Sequence, residues 1–151
     1  MNRLTDHDIL QILKSYNIKI NGIYQKDKLP NKLLDGFTIL NLQSSVDGSG
    51  THWTCIYHSK DCDIYYDSYG FLSPKEVEDK INNSYFYNKK DIQDINSSSC
   101  GFFCIAFIKS LYFKKNKVEA FKQFLQHFTG NTKQNEKNYM TFYINFPFNR
   151  K

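Results

Sequence analysis

The stretch Cys100-Gly101-Phe102-Phe103-Cys104-Ile105-Ala106-Phe107-Ile108 leaves this chain few ways to fold. It follows the polar segment Asp91 to Ser99 directly and carries no charged side chain. Phe102 to Ile108 is far too short to span a bilayer, so the run must be buried, as a helix or as an interior strand. Ser99 as a cap, and continuation through Leu111, Tyr112 and Phe113, favour a buried helix. The 151 residues suit one domain with one real hydrophobic core, and no disulfide or metal staple is required. Aromatics make up 17% of the chain, which adds large buried areas per residue and excludes a disordered chain.

The remaining elements fall on either side of that run. Thr5 is placed to cap a helix carrying Ile9, Leu10, Ile12, Leu13 and Tyr16, with Asp8 at capping-box distance and Leu4 positioned to pack against Ile9. Asn21-Gly22 and Leu29-Pro30 punctuate the region after this helix. Phe37 to Leu42 reads as a strand, then a loop at Asp47-Gly48-Ser49-Gly50. Thr51 to His58 and Asp63 to Ser68 form two strands of a hairpin. Ser73-Pro74-Lys75-Glu76 signals a helix start, with Pro74 at the first helical position and Ser73/Glu76 as a capping box. Tyr85 to Asn88 is a further short strand. Val118, Phe121, Leu125 and Phe128 mark a last helix closed by Gly130. Residues 1–130 therefore make the core of a single domain spanning 1–151. The tail 131–151 is polar until an edge strand at Met140 to Phe148.

Chemistry concentrates on the hairpin and on the entry to the apolar helix. With Ser59 and Lys60 at the centre of the turn, His52 lies directly across from Asp67, near enough for the carboxylate to orient the imidazole. The same register puts Trp53, Cys55, Tyr57, Cys62, Ile64 and Tyr66 on one face, and His52, Thr54, Asp63 and Asp67 on the other. Cys100 stands at a helix N-terminus, where unpaired N–H groups and the helix dipole favour a thiolate. Gly101 beside it lets a substrate approach the backbone closely. Gln93, on the loop before the Cys, is an amide donor for an oxyanion. Taken singly, each of these residues reads more readily as packing or as a turn; their joint order is the signal.

The order His52-Trp53, Tyr66-Asp67-Ser68-Tyr69-Gly70, Gln93, Cys100-Gly101-Phe102-Phe103-Cys104 resembles the adenovirus-type cysteine proteases and the related SUMO-deconjugating proteases. Upstream segments look like the proteases of virophages and Polinton/Maverick-type elements: Leu4-Thr5, Gly22-Ile23-Tyr24, Lys28-Leu29-Pro30, Ile39-Leu40-Asn41-Leu42 and Gly48-Ser49-Gly50-Thr51. The resemblance covers Leu4 to about Tyr112. It implies an α+β, single-domain, permuted papain-like fold, with a central, mostly antiparallel sheet and the nucleophile at the N-terminus of a buried helix. It implies His52 as general base and acid, Asp67 as its orienter, Cys100 as nucleophile and Gln93 as oxyanion donor. Trp53 would shape a narrow channel for small substrate residues, often Gly. Two departures stand out: an Asp where the adenovirus enzymes have Glu, as in the SUMO proteases, and a short His-to-acid spacing.

The resemblance further implies a capsid or other structural polyprotein as substrate, in a virion or a host-cell interior. No cofactor is required, although DNA or a peptide activates the adenovirus enzymes. A basic face built from Lys89, Lys90, Lys114, Lys115, Lys117 and Lys122 would serve non-specific DNA; at a net charge of +5 a solvated Lys-rich surface is the simpler reading. The polar, amphipathic N-terminus carries no export signal, so four reduced cysteines and no secretion are expected; no apolar stretch is long enough for a membrane, and a monomer is expected. Three other readings compete. His52, Cys55, His58 and Cys62 lie close in sequence, but strand alternation sets His52 and Cys55 on opposite faces, against a zinc site. A binding module without catalysis, or an isopeptidase removing ubiquitin-like modifiers, would use the same fold.

Overall fold

The computed structural model describes residues 4–42, 52–81, 84–93 and 99–140. The expected loop at Asp47 to Gly50, residues 94–98 of the loop before Ser99, and the expected edge strand beyond Met140 lie outside them.

Thr5 opens helix α1 (Asp6–Ser15) through a complete capping box: its side chain accepts from the Asp8 N–H, and the Asp8 carboxylate accepts from the Thr5 N–H. Ile9 and Leu13 then point into the core. Among the described residues five strands come after it: β1 (Gly22–Gln25), β2 (Gly36–Asn41), β3 (Trp53–His58), β4 (Asp63–Tyr66) and β5 (Phe86–Tyr87). They lie side by side in chain order. The two central pairings, β2–β3 and β3–β4, are antiparallel, whereas β1–β2 and β4–β5 are parallel. The fold is thus α+β with a mixed sheet. The expected mostly antiparallel sheet is corrected at both edges, because β1 and β5 each reach their neighbour by a crossover.

The hairpin register is also corrected, by two residues. Cys55 pairs with Tyr66 and His58 with Asp63, so the turn centres on Lys60-Asp61. The Ser59 hydroxyl sets this register: it accepts from the N–H groups of Asp61 and Cys62 and donates to the Cys62 carbonyl. His58 and Asp63 close the strand end with an imidazole–carboxylate bond. A two-residue shift leaves every side chain on its expected face, since strand alternation has period two. Trp53, Cys55, Tyr57, Ile64 and Tyr66 face the larger core, while Ile56 and Tyr65 join Leu33, Leu40 and Val77 on the opposite side.

Helix α3 (Cys100–Leu111) fills the larger core and packs on β3, α1 and the two helices after it. All of its residues but Phe102 are buried, which explains why its sequence is apolar on every side. Ser99 holds the N-cap position but gives the helix no side-chain cap. The buried Lys109 places its ammonium 3.6 Å from the centre of the Tyr16 ring. Helix α4 (Lys117–Leu125) presents Phe121 and Phe124 to Tyr66 and Phe107.

Three expected boundaries move. Helix α2 is the single turn Lys75–Glu78 with Pro74 at its N-cap, because the Ser73 hydroxyl bonds to the Tyr85 hydroxyl instead of capping. Helix α4 ends at Leu125, short of Gly130. The tail, expected only to be polar up to Met140, begins with a further helix, α5 (Thr132–Met140). No helix among the described residues is long and apolar enough to cross a membrane.

Candidate active site

Trp53, the first residue of β3, donates its N–H to the sulfur of Cys100 at 3.4 Å. That bond joins the sheet to the first residue of α3. His52 directly precedes Trp53, and its imidazole lies near enough to the Cys100 side chain for the two to interact. The His52 carbonyl accepts from the Leu42 N–H, which fixes the residue against the end of β2. Cys100 itself is 2% exposed, and its sulfur lies where the helix N-terminus and a backbone amide both favour negative charge.

Asp67 follows the last residue of β4 and is fully buried. Its Oδ1 accepts from His52 Nε2 at 2.8 Å and from the Tyr69 N–H at 2.8 Å. The contact forms despite the shifted register: His52 and Asp67 lie beyond the paired strands, on one face and on the diagonal. Tyr69 stacks on the imidazole with ring centres 4.3 Å apart and planes 16° from parallel. Asp67 thus holds Nε2, and Nδ1 has no hydrogen-bond partner among the described residues. Burial pushes the imidazole pKa down, but the Asp67 bond and the nearby Cys100 together outweigh it and hold the pKa up at about 9. The protonated ring is therefore the favoured form at neutral pH.

Gln93 is fully buried, and its Oε1 accepts from the Ser68 hydroxyl. The Ser68 carbonyl in turn accepts from the N–H groups of Ile92 and Gln93, at 2.8 and 2.9 Å. Asn88 binds the other side of the same turn. Its Nδ2 donates to the Asp67 carbonyl at 2.6 Å, and its Oδ1 accepts from the Asp67 N–H at 3.3 Å. The Asp67–Gly70 turn and the 88–93 segment are therefore one hydrogen-bonded unit that places Asp67 and Gln93 together.

Gly70 locks the two parts. Its φ is +80°, and a Cβ added there would stand 2.8 Å from the Lys90 carbonyl. Gly70→Ala is expected to lower stability by about 1–3 kcal/mol and to reduce any activity that needs Gln93, read by urea unfolding alongside a rate assay. Gly101 has a packing reason as well: a Cβ there would meet the Leu4 side chain at 3.2 Å and the Trp53 ring at 3.3 Å. Trp53 is 6% exposed and its Nε1 donates to the Leu4 carbonyl, so the indole ties the chain entering α1 to the start of α3.

The expected residues His52, Asp67 and Cys100 come together, and Trp53, Gly101 and Gln93 lie around them. Sequence reasoning missed the Trp53 N–H, Asn88, and the roles of Ser68 and Tyr69. Ser68 and Tyr69 stand inside the Tyr66–Gly70 motif and could have been found from it; Asn88 carries no signal, being one Asn among many in polar loops. Among the described residues, no group of three or more His, Cys, Asp and Glu side chains is placed to hold a metal ion. None of the four cysteines forms a disulfide, and burial pushes the thiol pKa values of Cys55, Cys62 and Cys104 up. Compared with known proteins, the chain matches no family model and no curated protein.

Proposed function

We propose that this protein is a cysteine endopeptidase in which Cys100 is the nucleophile, His52 the proton carrier, Asp67 its orienter and Gln93 an oxyanion donor. The observation that carries the reading is the cluster at the head of α3: a buried thiol accepting from the Trp53 N–H, beside an imidazole that Asp67 holds by Nε2. Transfer of the thiol proton to such an imidazole supplies a thiolate without any further base. The thiolate attacks a peptide carbonyl, and its electron pair forms the C–S bond as the carbonyl oxygen takes up negative charge. Gln93 and the N–H of Cys100 stabilise that oxygen. Collapse of the intermediate breaks the C–N bond while His52 gives its proton to the leaving amine. A water molecule, deprotonated by His52, then hydrolyses the thioester and restores the thiol.

The permuted papain-like fold, the capsid or structural polyprotein as substrate, and a virion or host-cell setting rest on the resemblance of the motifs. So does activation by DNA or a peptide. A second reading, removal of ubiquitin-like modifiers, is favoured by Asp67 at the position where the adenovirus enzymes carry Glu. Cleavage profiling on a peptide library separates them. A maturation protease is expected to cut internal sites containing Gly, and an isopeptidase only after a Gly-Gly C-terminus. Absence of cleavage in every Gly-containing pool, with the protein folded, would remove both.

A further inference from the structure

Asn135 is a fully buried polar side chain on α5, and it reaches the segment that carries Gln93. Its Nδ2 donates to the Ile92 carbonyl at 3.1 Å and to the Thr129 carbonyl at 2.7 Å, while its Oδ1 accepts from the Thr129 N–H at 2.9 Å. The side-chain amide thus pairs with Thr129 as a strand neighbour would and spends its remaining donor on the residue next to Gln93. Ile92 and Gln93 are held from the other side by the Ser68 carbonyl. The segment is therefore gripped between the turn that bears Asp67 and the first helix of the tail.

We propose that Asn135 is a positioning residue for Gln93: it fixes the Ile92-Gln93 backbone, and α5 is thereby a working part of the oxyanion site. The inference rests on the cysteine-peptidase reading. Fixing the donor matters because a misplacement of about 1 Å at a reacting centre costs on the order of 100-fold in rate. A purely structural Asn135 would weaken the fold and slow every reaction of the protein alike. A positioning Asn135 affects only reactions that develop charge on oxygen, and only while Gln93 is present.

Two probes of Cys100 separate these cases in the full-length protein. Iodoacetamide alkylates the sulfur by displacing iodide and forms no oxyanion. Acetyl-glycyl-glycinal adds reversibly: the sulfur bonds to the aldehyde carbon, and the carbonyl electron pair moves onto an oxygen at the oxyanion position. Asn135→Asp, which keeps the acceptor for the Thr129 N–H but loses the donors to the Ile92 and Thr129 carbonyls, and Asn135→Ala are compared with wild type. Both are expected to be alkylated within about two-fold of the wild-type rate and to bind the aldehyde about ten- to hundred-fold more weakly. In a Gln93→Ala background the same substitutions should change aldehyde binding by less than about two-fold. Equal losses with and without Gln93, unchanged aldehyde affinity, or loss of the fold in both variants by near-ultraviolet circular dichroism would overturn the proposal. If wild-type Cys100 takes up no aldehyde, the peptidase reading itself fails.

Discussion

Cys100→Ala is expected to lower peptide cleavage by at least about 10³-fold while the protein stays folded. The size of the effect comes from the step it removes. Without the sulfur there is no acyl-enzyme, and the imidazole and the oxyanion donors can act only on water. The variant should tolerate the change well. The side chain loses one buried acceptor, the one that receives the Trp53 N–H, and a small volume at the head of α3. An unsatisfied buried donor costs about 1–3 kcal/mol, so the melting temperature should fall modestly. Substrate binding should survive, which makes Cys100→Ala the form in which to measure affinity separately from turnover. Undiminished cleavage by this variant would show that the nucleophile lies elsewhere.

Asp67→Asn should produce the second largest loss, about 10²- to 10⁴-fold in kcat, because the amide keeps the shape but cannot hold the imidazolium. It also changes how stability and activity depend on pH. The folded-state pKa of His52, about 9, lies above the unfolded value of 6.5. Protonation of His52 therefore stabilises the fold fully below pH 6.5, and that stabilisation is lost as pH rises through about 9. Its size is about 3 kcal/mol for a shift of this extent. Wild type should thus lose stability across that window, whereas Asp67→Asn should lose much less. Activity should show the same sign: the alkaline limb, at about 9 in wild type, moves to lower pH in the variant. Measuring both proteins together isolates His52, since the buried Lys109, whose pKa burial pulls down to about 8, contributes equally to each.

The core was legible because its signals are local and strong. The apolar stretch after Ser99 can only be a buried helix or strand, and Thr5 with Asp8 is a complete capping box in four residues. Strand alternation also sorted the hairpin side chains onto the correct faces. The register itself was out of reach: it is set by three bonds of one serine hydroxyl and by the His58–Asp63 pair, which no periodicity announces. Helix α5 escaped for a related reason. It is polar from Thr132 to Asn138 and is tied down by Asn135, a side chain that looks like loop composition until the Ile92 carbonyl is beside it. The edge strands are short, and parallel pairing between distant segments leaves no mark in either one. In the site, residue types in order pointed to His52, Asp67, Gln93 and Cys100. The groups that hold them, Asn88, Ser68 and the Trp53 N–H, act through geometry alone.

The apolar helix headed by Cys100 is both the clearest signal in the chain and the place where the proposed chemistry is most open to test. Everything in that chemistry depends on His52 and Cys100 forming one ionisable pair. The iodoacetamide alkylation rate of Cys100 against pH, followed by mass spectrometry in wild type and in His52→Ala, reads the pair directly. Wild-type Cys100 should react faster than Cys55, Cys62 and Cys104, and its profile should step as His52 titrates near pH 9. His52→Ala should abolish the step. Superimposable profiles in the two proteins would mean that the thiol ionises without the imidazole, and the pair does not exist.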